Sequence, residues 1–291
     1  MTINFSMPKL RKAATWEALN TIKISKLPIP DLKKGEMLIK VMACSICGSD
    51  IRIFKHGNPR VQSGQIIGHE IAGQVVAVNE AANFSVGDDI SIGADVPCDD
   101  CRFCNAGHCN CCRTNLAIGH QLEGGFTEFI KLQASTVAFG PVQKFSAPIS
   151  YAEAALAEPL ACCINGYEKC GDGPFDTILI FGAGPIGMLL GFLGKYYGAK
   201  TVIMVDPNEH RLSQAKSLSA ADHVINFEQK TIVDKIMNIT DGYGCDRVFT
   251  ACPISETHSL AMELVSVMGV VNLFGGLPES EESFFVRLFD P

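Results

Sequence analysis

The stretch that decides the fold is TILIFGAGPIGMLLGFLGKYYGAKTVIMVD, residues 177–206. A short apolar run, a glycine-rich turn, a longer apolar segment and a second apolar run follow one another, as in a strand–helix–strand unit. Because apolar strands continue to alternate with helices after it, we predict a five-stranded parallel sheet covered by helices on both faces. The further strands are predicted at 222–226, 246–251 and 270–276, and the helices near 209–220, 231–239 and 256–268.

The glycine-rich turn is a candidate dinucleotide site. The residues Gly182-Ala183-Gly184-Pro185-Ile186-Gly187 form the pattern GxGxxG, directly between a strand and a helix. We expect Gly182 to permit a tight turn, Gly184 to let a pyrophosphate approach the backbone, and Gly187 to let the helix pack on the strand. The phosphates would lie at the helix N-terminus, where free N–H groups and the helix dipole favour negative charge.

An acidic residue at the end of the second strand indicates which dinucleotide binds. Asp206 lies 19 positions after Gly187, where a carboxylate accepts hydrogen bonds from a ribose 2′-hydroxyl and repels a 2′-phosphate. We therefore predict NAD, with Arg211 over the adenine or in solvent. The alternative is a glycine turn in a parallel sheet that binds no nucleotide.

Composition excludes several classes of protein. The chain has 291 residues, 47 % apolar and 19 % charged, and a net charge of −7. This balance argues against a disordered chain, and the absence of a basic run argues against a nucleic-acid partner. The N-terminus has no continuous apolar segment of signal-peptide length, and we therefore expect a cytoplasmic protein with no membrane partner.

The first half of the chain has a different pattern of apolar and polar residues. Alternating apolar and polar residues predict short strands separated by turns, which favours a β-rich domain of barrel or sandwich type. We place the domain boundary after residue 152, with a first domain at 1–152 and a second at 153–291. The predicted strands of the first domain include 36–44, 73–80, 88–93 and 126–132.

The cysteines are concentrated in one segment. Six of the 13 lie between Cys98 and Cys112, and clustering of this kind in a reducing compartment indicates metal binding. The spacing Cys98-x2-Cys101-x2-Cys104-x7-Cys112 suits a closed structural zinc site. An iron–sulfur cluster or redox-active thiols are the alternatives, and Cys109 and Cys111 leave the fourth ligand open.

A second candidate metal site is scattered along the sequence. It combines Cys47 in CSICGSD, His69 and Glu70 in GHEIAG, and Glu158 in AEPLACC. A thiolate, an imidazole and a carboxylate bind zinc and leave a fourth position open for water or substrate. Each residue alone also has an ordinary structural interpretation: a buried thiol, a core histidine and a first-turn glutamate.

Together, these motifs resemble those of the zinc-containing medium-chain alcohol dehydrogenase family, especially its sorbitol (polyol) and threonine dehydrogenase branches. The resemblance runs from about residue 25 to residue 275. It is carried by Cys47-Gly48-Ser49-Asp50, Gly68-His69-Glu70-x2-Gly73, the four-cysteine spacing, Glu158-Pro159-Leu160, and Gly182–Gly187 with Asp206.

The resemblance implies a GroES-like catalytic domain, a Rossmann-type nucleotide domain and a catalytic zinc in the cleft between them. Cys47 and His69 match family zinc ligands, while Glu70 and Glu158 are alternatives for the third. Ser49 matches the hydroxyl that passes the alcohol proton toward solvent, and Asp50 is expected to orient the ligands. The implied activity is oxidation of a secondary alcohol, a polyol or sugar alcohol, with NAD; L-threonine 3-dehydrogenation is the alternative.

Family members continue beyond the position where this sequence ends, Pro291. From that, we expect a nucleotide domain that lacks its last strand or strands. The resemblance also implies a homo-oligomer, whose formation the short C-terminus would put in question, since that strand pairs subunits in the family. A truncated, non-catalytic relative that binds only nucleotide and zinc is therefore a second hypothesis.

Overall fold

The computed structural model describes residues 8–81, 83–146, 148–171, 176–227 and 231–277. The chain divides into two compact units, Met1–Pro159 and Leu160–Pro291. The boundary predicted after residue 152 thus lies inside the first unit. The prediction about missing C-terminal strands concerns residues that follow 277 and lie outside the described residues.

The first unit is built mainly from short strands. Its strands are β1 (Leu10–Ala18), β2 (Thr21–Pro28), β3 (Met37–Ser45), β4 (Gln65–Ile66), β5 (Glu70–Val78), β6 (Asp89–Ile92), β7 (Asp95–Val96), β8 (Leu116–Ala117), β9 (Phe129–Leu132) and β10 (Val142–Lys144). Its helices are α1 (Gly48–His56), α2 (Arg102–Asn105), α3 (Ala134–Phe139) and α4 (Tyr151–Ala155), with a 3₁₀ turn at Cys109–Cys111 and α5 (Ala157–Lys169) beginning at its end.

A five-stranded antiparallel sheet forms the centre of this unit. Its strand order is β10-β6-β5-β3-β9, and a second sheet has the order β2-β1-β4. The buried face of the larger sheet carries Met37, Ile39, Ile71 and Ile90, all fully buried. All four strands predicted for this half are present, and β5 begins three residues earlier than predicted, at Glu70. This early start brings Glu70 opposite Ser45, the last residue of β3.

The second unit alternates strands and helices. Its strands are β11 (Thr177–Phe181), β12 (Thr201–Asp206), β13 (His223–Asn226), β14 (Cys245–Thr250) and β15 (Val265–Asn272). Between them lie α6 (Pro185–Tyr196), α7 (Glu209–Ser217), α8 (Ile232–Ile239) and α9 (Ser255–Leu264).

The five strands form one parallel sheet in the order β13-β12-β11-β14-β15. The order reverses beside β11, so the strand that precedes the glycine turn lies at the centre of the sheet. Apolar side chains cover both faces: Ile178 and Ile180 pack into one cluster and Leu179 and Phe181 into another. This arrangement confirms the Rossmann-type doubly wound sheet, because alternate residues of a central strand point to opposite helical layers.

The last helix and strand of this unit differ from their predicted bounds, since the strand predicted at 270–276 is Val265–Asn272. The helix predicted to extend to residue 268 ends at Leu264, and β15 begins at Val265. Met268 has a positive φ of 64°, a conformation that a helix cannot accommodate. The β-branched residues Val265 and Val267 also favour strand over helix, so the helix ends earlier than predicted. The pairing of β14 with β15 is irregular after Val265 and resumes where Val270 pairs with Arg247.

Among the described residues, no helix combines the length and the apolar character needed to cross a membrane.

Candidate metal and nucleotide sites

Three side chains from two neighbouring segments of the first unit converge. Cys47 is the N-cap residue of α1, His69 ends the loop before β5, and Glu70 is the first residue of that strand. The thiol, imidazole and carboxylate ligand atoms all lie within 4.8 Å of one another. His69 and Glu70 are both buried. The fold thus brings residues 22 positions apart into one ligand set.

Asp50 joins the two segments. Its buried carboxylate accepts hydrogen bonds from the backbone N–H of Cys47 (2.9 Å) and of Gly68 (3.2 Å). The same carboxylate lies 3.7 Å from Nδ1 of His69. Nδ1 therefore faces Asp50, while Nε2 faces the Ser49 side. A carboxylate behind a ligating histidine is the usual means of fixing its tautomer and ring orientation.

The electrostatics of this cluster suit a cation. Burial lowers the pKa of His69, but a hydrogen bond with Cys47 and the charges of Asp50, Cys47 and Glu158 outweigh it and raise the pKa to about 9. Without a cation, a proton on His69 offsets the surrounding negative charge. The donor set of one sulfur, one nitrogen and one carboxylate oxygen fits Zn²⁺ and leaves a fourth coordination position open.

Ser49 and Glu158 lie near this group without belonging to it. The Ser49 hydroxyl is 3.5 Å from Nε2 of His69, which places it beside the predicted metal position. Glu158, in the first turn of α5, is outside the group of ligand atoms within 4.8 Å, although its charge acts on His69. Of the two candidate glutamates, the structure therefore brings Glu70 into the ligand set.

His56 is a histidine near Ser49 in the sequence that could continue the proton path from the Ser49 hydroxyl. His56 is exposed in the last turn of α1, whereas Ser49 is in the first turn. Seven residues of helix separate them by about 10 Å along the axis. The structure thus does not place His56 within hydrogen-bonding reach of Ser49.

Sequence reasoning missed two residues beside this site. The ring centroid of His120 lies 6.0 Å from that of His69, and burial lowers the pKa of His120. Ser45 lies opposite Glu70 in the sheet. No local pattern marks His120, because its proximity depends on a loop that returns to β5. Ser45, by contrast, stands two residues before Cys47, and correct pairing of β3 with β5 would have identified it.

Four thiols of the cysteine lobe also form a ligand set. The sulfur atoms of Cys98, Cys101, Cys104 and Cys112 lie within 4.8 Å of one another. The backbone N–H of Asp100 and other donors lower the pKa of Cys98 to about 6, which favours the thiolate that a metal requires, whereas burial raises the pKa of Cys104 to about 12. The structure therefore selects Cys112 as the fourth ligand candidate, and four converging thiols fit a closed zinc site.

The glycine turn has the geometry expected of a nucleotide site. Gly182 has a φ of +106°, which is the left-handed region that favours glycine, and a Cβ on Gly187 would lie 1.8 Å from the carbonyl oxygen of Gly182. A Cβ on Gly184 would meet nothing within 4 Å. Pro185 begins α6, so the N–H groups of Ile186 and the residue after it lie in its first turn, without intrahelical acceptors.

Asp206 is held at the edge of this turn. Its buried carboxylate accepts hydrogen bonds of 2.8 Å from the backbone N–H of Ala183 and of Asn208. Nη1 of the half-exposed Arg211 lies 3.8 Å away. Both side chains line a cavity of about 240 Å³, together with Ile254 and Thr257. The turn and the cavity fit the diphosphate and adenosine parts of a dinucleotide.

Comparisons with known proteins agree with both sites. Residues 33–141 match the alcohol dehydrogenase GroES-like domain, and residues 185–290 match the zinc-binding dehydrogenase family. Sorbitol dehydrogenase of Bacillus subtilis (strain 168) is 35 % identical over 287 residues, which cover 95 % of this chain and 78 % of that protein. L-threonine 3-dehydrogenase of Pyrococcus furiosus is 33 % identical, with 88 % and 73 % of the two chains covered.

A solved structure supports the same assignment. A protein of Sinorhizobium meliloti 1021, crystallised with NADP, superposes with a TM-score of 0.88 at 28 % identity and covers 96 % of this chain and 80 % of its own. The predicted GroES-like and Rossmann-type domains, zinc and a nicotinamide cofactor are thereby confirmed. The chain belongs to the zinc-containing medium-chain alcohol dehydrogenase family of oxidoreductases, in its sorbitol and threonine dehydrogenase-like branch.

Proposed function

We propose that this chain oxidises a secondary hydroxyl group of a polyol or sugar alcohol, with NAD as the hydride acceptor. The observation that supports this best is the convergence of Cys47, His69 and Glu70 within 4.8 Å. A set of three different ligands suits a catalytic zinc, which needs a free position for the substrate, better than a closed structural site.

The residues around this set have separate tasks in the proposed reaction. Zinc, when bound there, supplies Lewis acidity that lowers the pKa of a substrate hydroxyl. Ser49, 3.5 Å from Nε2 of His69, is positioned to accept the proton of that hydroxyl. Asp50 orients His69, and the negative charge of Glu158 also acts on His69.

The preference for NAD is supported by Asp206. Both of its oxygens already accept backbone N–H groups, so the carboxylate is fixed at the edge of the cavity. A second lone pair on each oxygen remains for a ribose 2′-hydroxyl, whereas a 2′-phosphate would face a buried negative charge. Arg211 offsets that charge only from 3.8 Å and from a half-exposed position.

The preference for a polyol has two supports. The resemblance to the family implies that Glu158 replaces the thiolate ligand of classical alcohol dehydrogenases, as in the sorbitol branch, and the match to the sorbitol dehydrogenase relative covers 95 % of this chain. L-threonine is the second candidate substrate, because an L-threonine 3-dehydrogenase matches at similar identity. We also propose a reducing, cytoplasmic environment, since the 13 cysteines, all of which lie in the described residues, form no disulfide with one another.

The test is a substrate panel with purified protein. Formation of NADH from NAD, and of NADPH from NADP, is measured with sorbitol, other polyols and L-threonine. We expect turnover on at least one polyol with NAD, and its loss in Cys47→Ser and His69→Ala. Cys162→Ser, at an exposed cysteine outside both ligand sets, is the matched control and should keep full activity. Equal turnover in all variants would contradict the metal mechanism, and turnover on L-threonine alone would select the second candidate.

A further inference from the structure

The Ser45 hydroxyl is buried and unsatisfied next to the proposed metal ligands. Among the described residues, its Oγ has no hydrogen-bond partner. A buried hydroxyl without a partner is unfavourable, so a hydrogen bond that Ser45 gains in a functional state would stabilise that state. The hydroxyls of Thr15 and Thr127, by comparison, are bonded within the same unit.

The sheet register identifies the neighbour of this hydroxyl. Ser45 and Glu70 are directly paired residues of the antiparallel strands β3 and β5. Directly opposed residues project from the same face of a sheet, with Cβ atoms about 4.5–5.5 Å apart. A serine hydroxyl and a glutamate carboxylate at that separation are within reach of a hydrogen bond through ordinary rotamer changes.

We propose that Ser45 is a positioning residue: its hydroxyl donates a hydrogen bond to the Glu70 carboxylate and holds that carboxylate toward the metal. The proposal rests on the proposed function, since it takes Glu70 as a zinc ligand. One carboxylate oxygen then serves the metal and the other accepts from Ser45. Asp50 does the corresponding work for His69, so each of these two ligands has its own orienting partner.

The effect should be seen in zinc affinity, measured by competition with a chromophoric chelator on metal-free protein. Loss of a ligand's orienting partner typically lowers metal affinity about 10–100-fold. We therefore expect Ser45→Ala to lower the zinc affinity of the site formed by Cys47, His69 and Glu70 by at least about tenfold. Ser45→Thr, which keeps the hydroxyl at a strand position that tolerates branching, should restore most of the affinity. The four-thiol site should bind zinc equally in all variants.

Thermal unfolding of the metal-free protein separates positioning from a purely structural role. Ser45→Ala removes an unsatisfied buried hydroxyl, so the metal-free variant should be as stable as the original chain or more stable, although it binds zinc less well. Thr250→Val is the matched control, because Thr250 Oγ1 is also buried without a partner but lies in the other unit. It should change stability without changing zinc affinity.

The outcomes distinguish the two proposals. Suppose that the unsubstituted chain binds two zinc ions, and that Ser45→Ala binds the zinc ion of the Cys47 site as tightly as the unsubstituted chain does. The role of Ser45 is then refuted while the proposed function stands. If Ser45→Ala loses stability and zinc affinity together and Ser45→Thr restores neither, the role is refuted as well. If the unsubstituted chain binds zinc only at the four thiols, the proposed function fails and the role of Ser45 fails with it.

Discussion

Two glycines of the nucleotide turn allow folding and binding to be perturbed separately. In Gly187→Ala, the new methyl group would lie 1.8 Å from the carbonyl oxygen of Gly182, well inside any tolerated contact. Because the methyl group and the carbonyl oxygen belong to the same tight turn, this clash can be removed only by a movement of the backbone. In Gly184→Ala, the methyl group would meet no atom within 4 Å, and the extended backbone at this N-cap position, φ −78° and ψ −173°, is open to alanine.

The expected magnitudes differ accordingly. Overpacking costs about 1–3 kcal/mol, and a contact between two backbone groups belongs at the upper end. Alanine in place of a helical glycine gains back about 1 kcal/mol, so Gly187→Ala should destabilise the second unit by about 2 kcal/mol. Gly184→Ala should change stability by less than about 1 kcal/mol. Its methyl group, however, would occupy the space where a diphosphate approaches, and we expect NADH affinity to fall at least about tenfold.

Thermal unfolding and a fluorescence titration with NADH test both parts. Gly187→Ala should unfold at a temperature about 8 °C below that of the original chain. Gly184→Ala should unfold near the temperature of the original chain but bind NADH poorly. Normal NADH binding by Gly184→Ala would refute the placement of the diphosphate. An unchanged melting temperature for Gly187→Ala would refute the packing argument.

Three further predictions concern the four-thiol site, the choice of cofactor and a charged contact. Cys112→Ser should remove one zinc ion per chain while Cys111→Ser removes none, as counted by elemental analysis; equal loss from both would contradict the assignment of the fourth thiol. Asp206→Ser should improve the affinity for NADPH relative to NADH about tenfold or more in a titration with both nucleotides, and an unchanged ratio would mean that Asp206 does not read the ribose. Partial burial raises the pKa of Asp222, but the ion pair with Lys195 outweighs this effect and holds the pKa below its usual value. Its stabilising effect is therefore fully present above the unfolded-state pKa and is lost as the pH falls through the folded-state pKa, so Asp222→Asn should destabilise the protein by less than about 1 kcal/mol at pH 7 and by a smaller amount at pH 3 in denaturant titrations. A loss of equal size at both pH values would contradict this assignment.

The second unit could be predicted almost completely because its signals are local. Apolar runs, the glycine turn and the acidic end of β12 each lie within a short window, and all five strands were found. The wrong bounds of the last helix and strand, which meet at Leu264, arise where a positive φ at Met268 interrupts an otherwise helical pattern. A residue such as methionine gives no sign in the sequence that it will adopt that conformation.

The candidate metal site was predictable in its residues but not in its arrangement. Motif spacing proposed Cys47, His69 and both glutamates, whereas only the pairing of β3 with β5 brings Glu70 rather than Glu158 into the ligand set. The same long-range pairing places Ser45 beside the site. Contacts of this kind depend on strand register, which a single sequence specifies only indirectly, through turns and the alternation of buried residues.

The carboxylate of Asp50 has a consequence for how the metal is acquired. Because it accepts N–H groups from both the Cys47 and Gly68 segments, the loops that carry the ligands are joined by the protein itself and not only by the ion. The conformational entropy of bringing them together is thus lost during folding rather than during metal uptake. The chain should therefore fold before it is loaded, and the rate of zinc exchange should depend on access to the site instead of on unfolding around it.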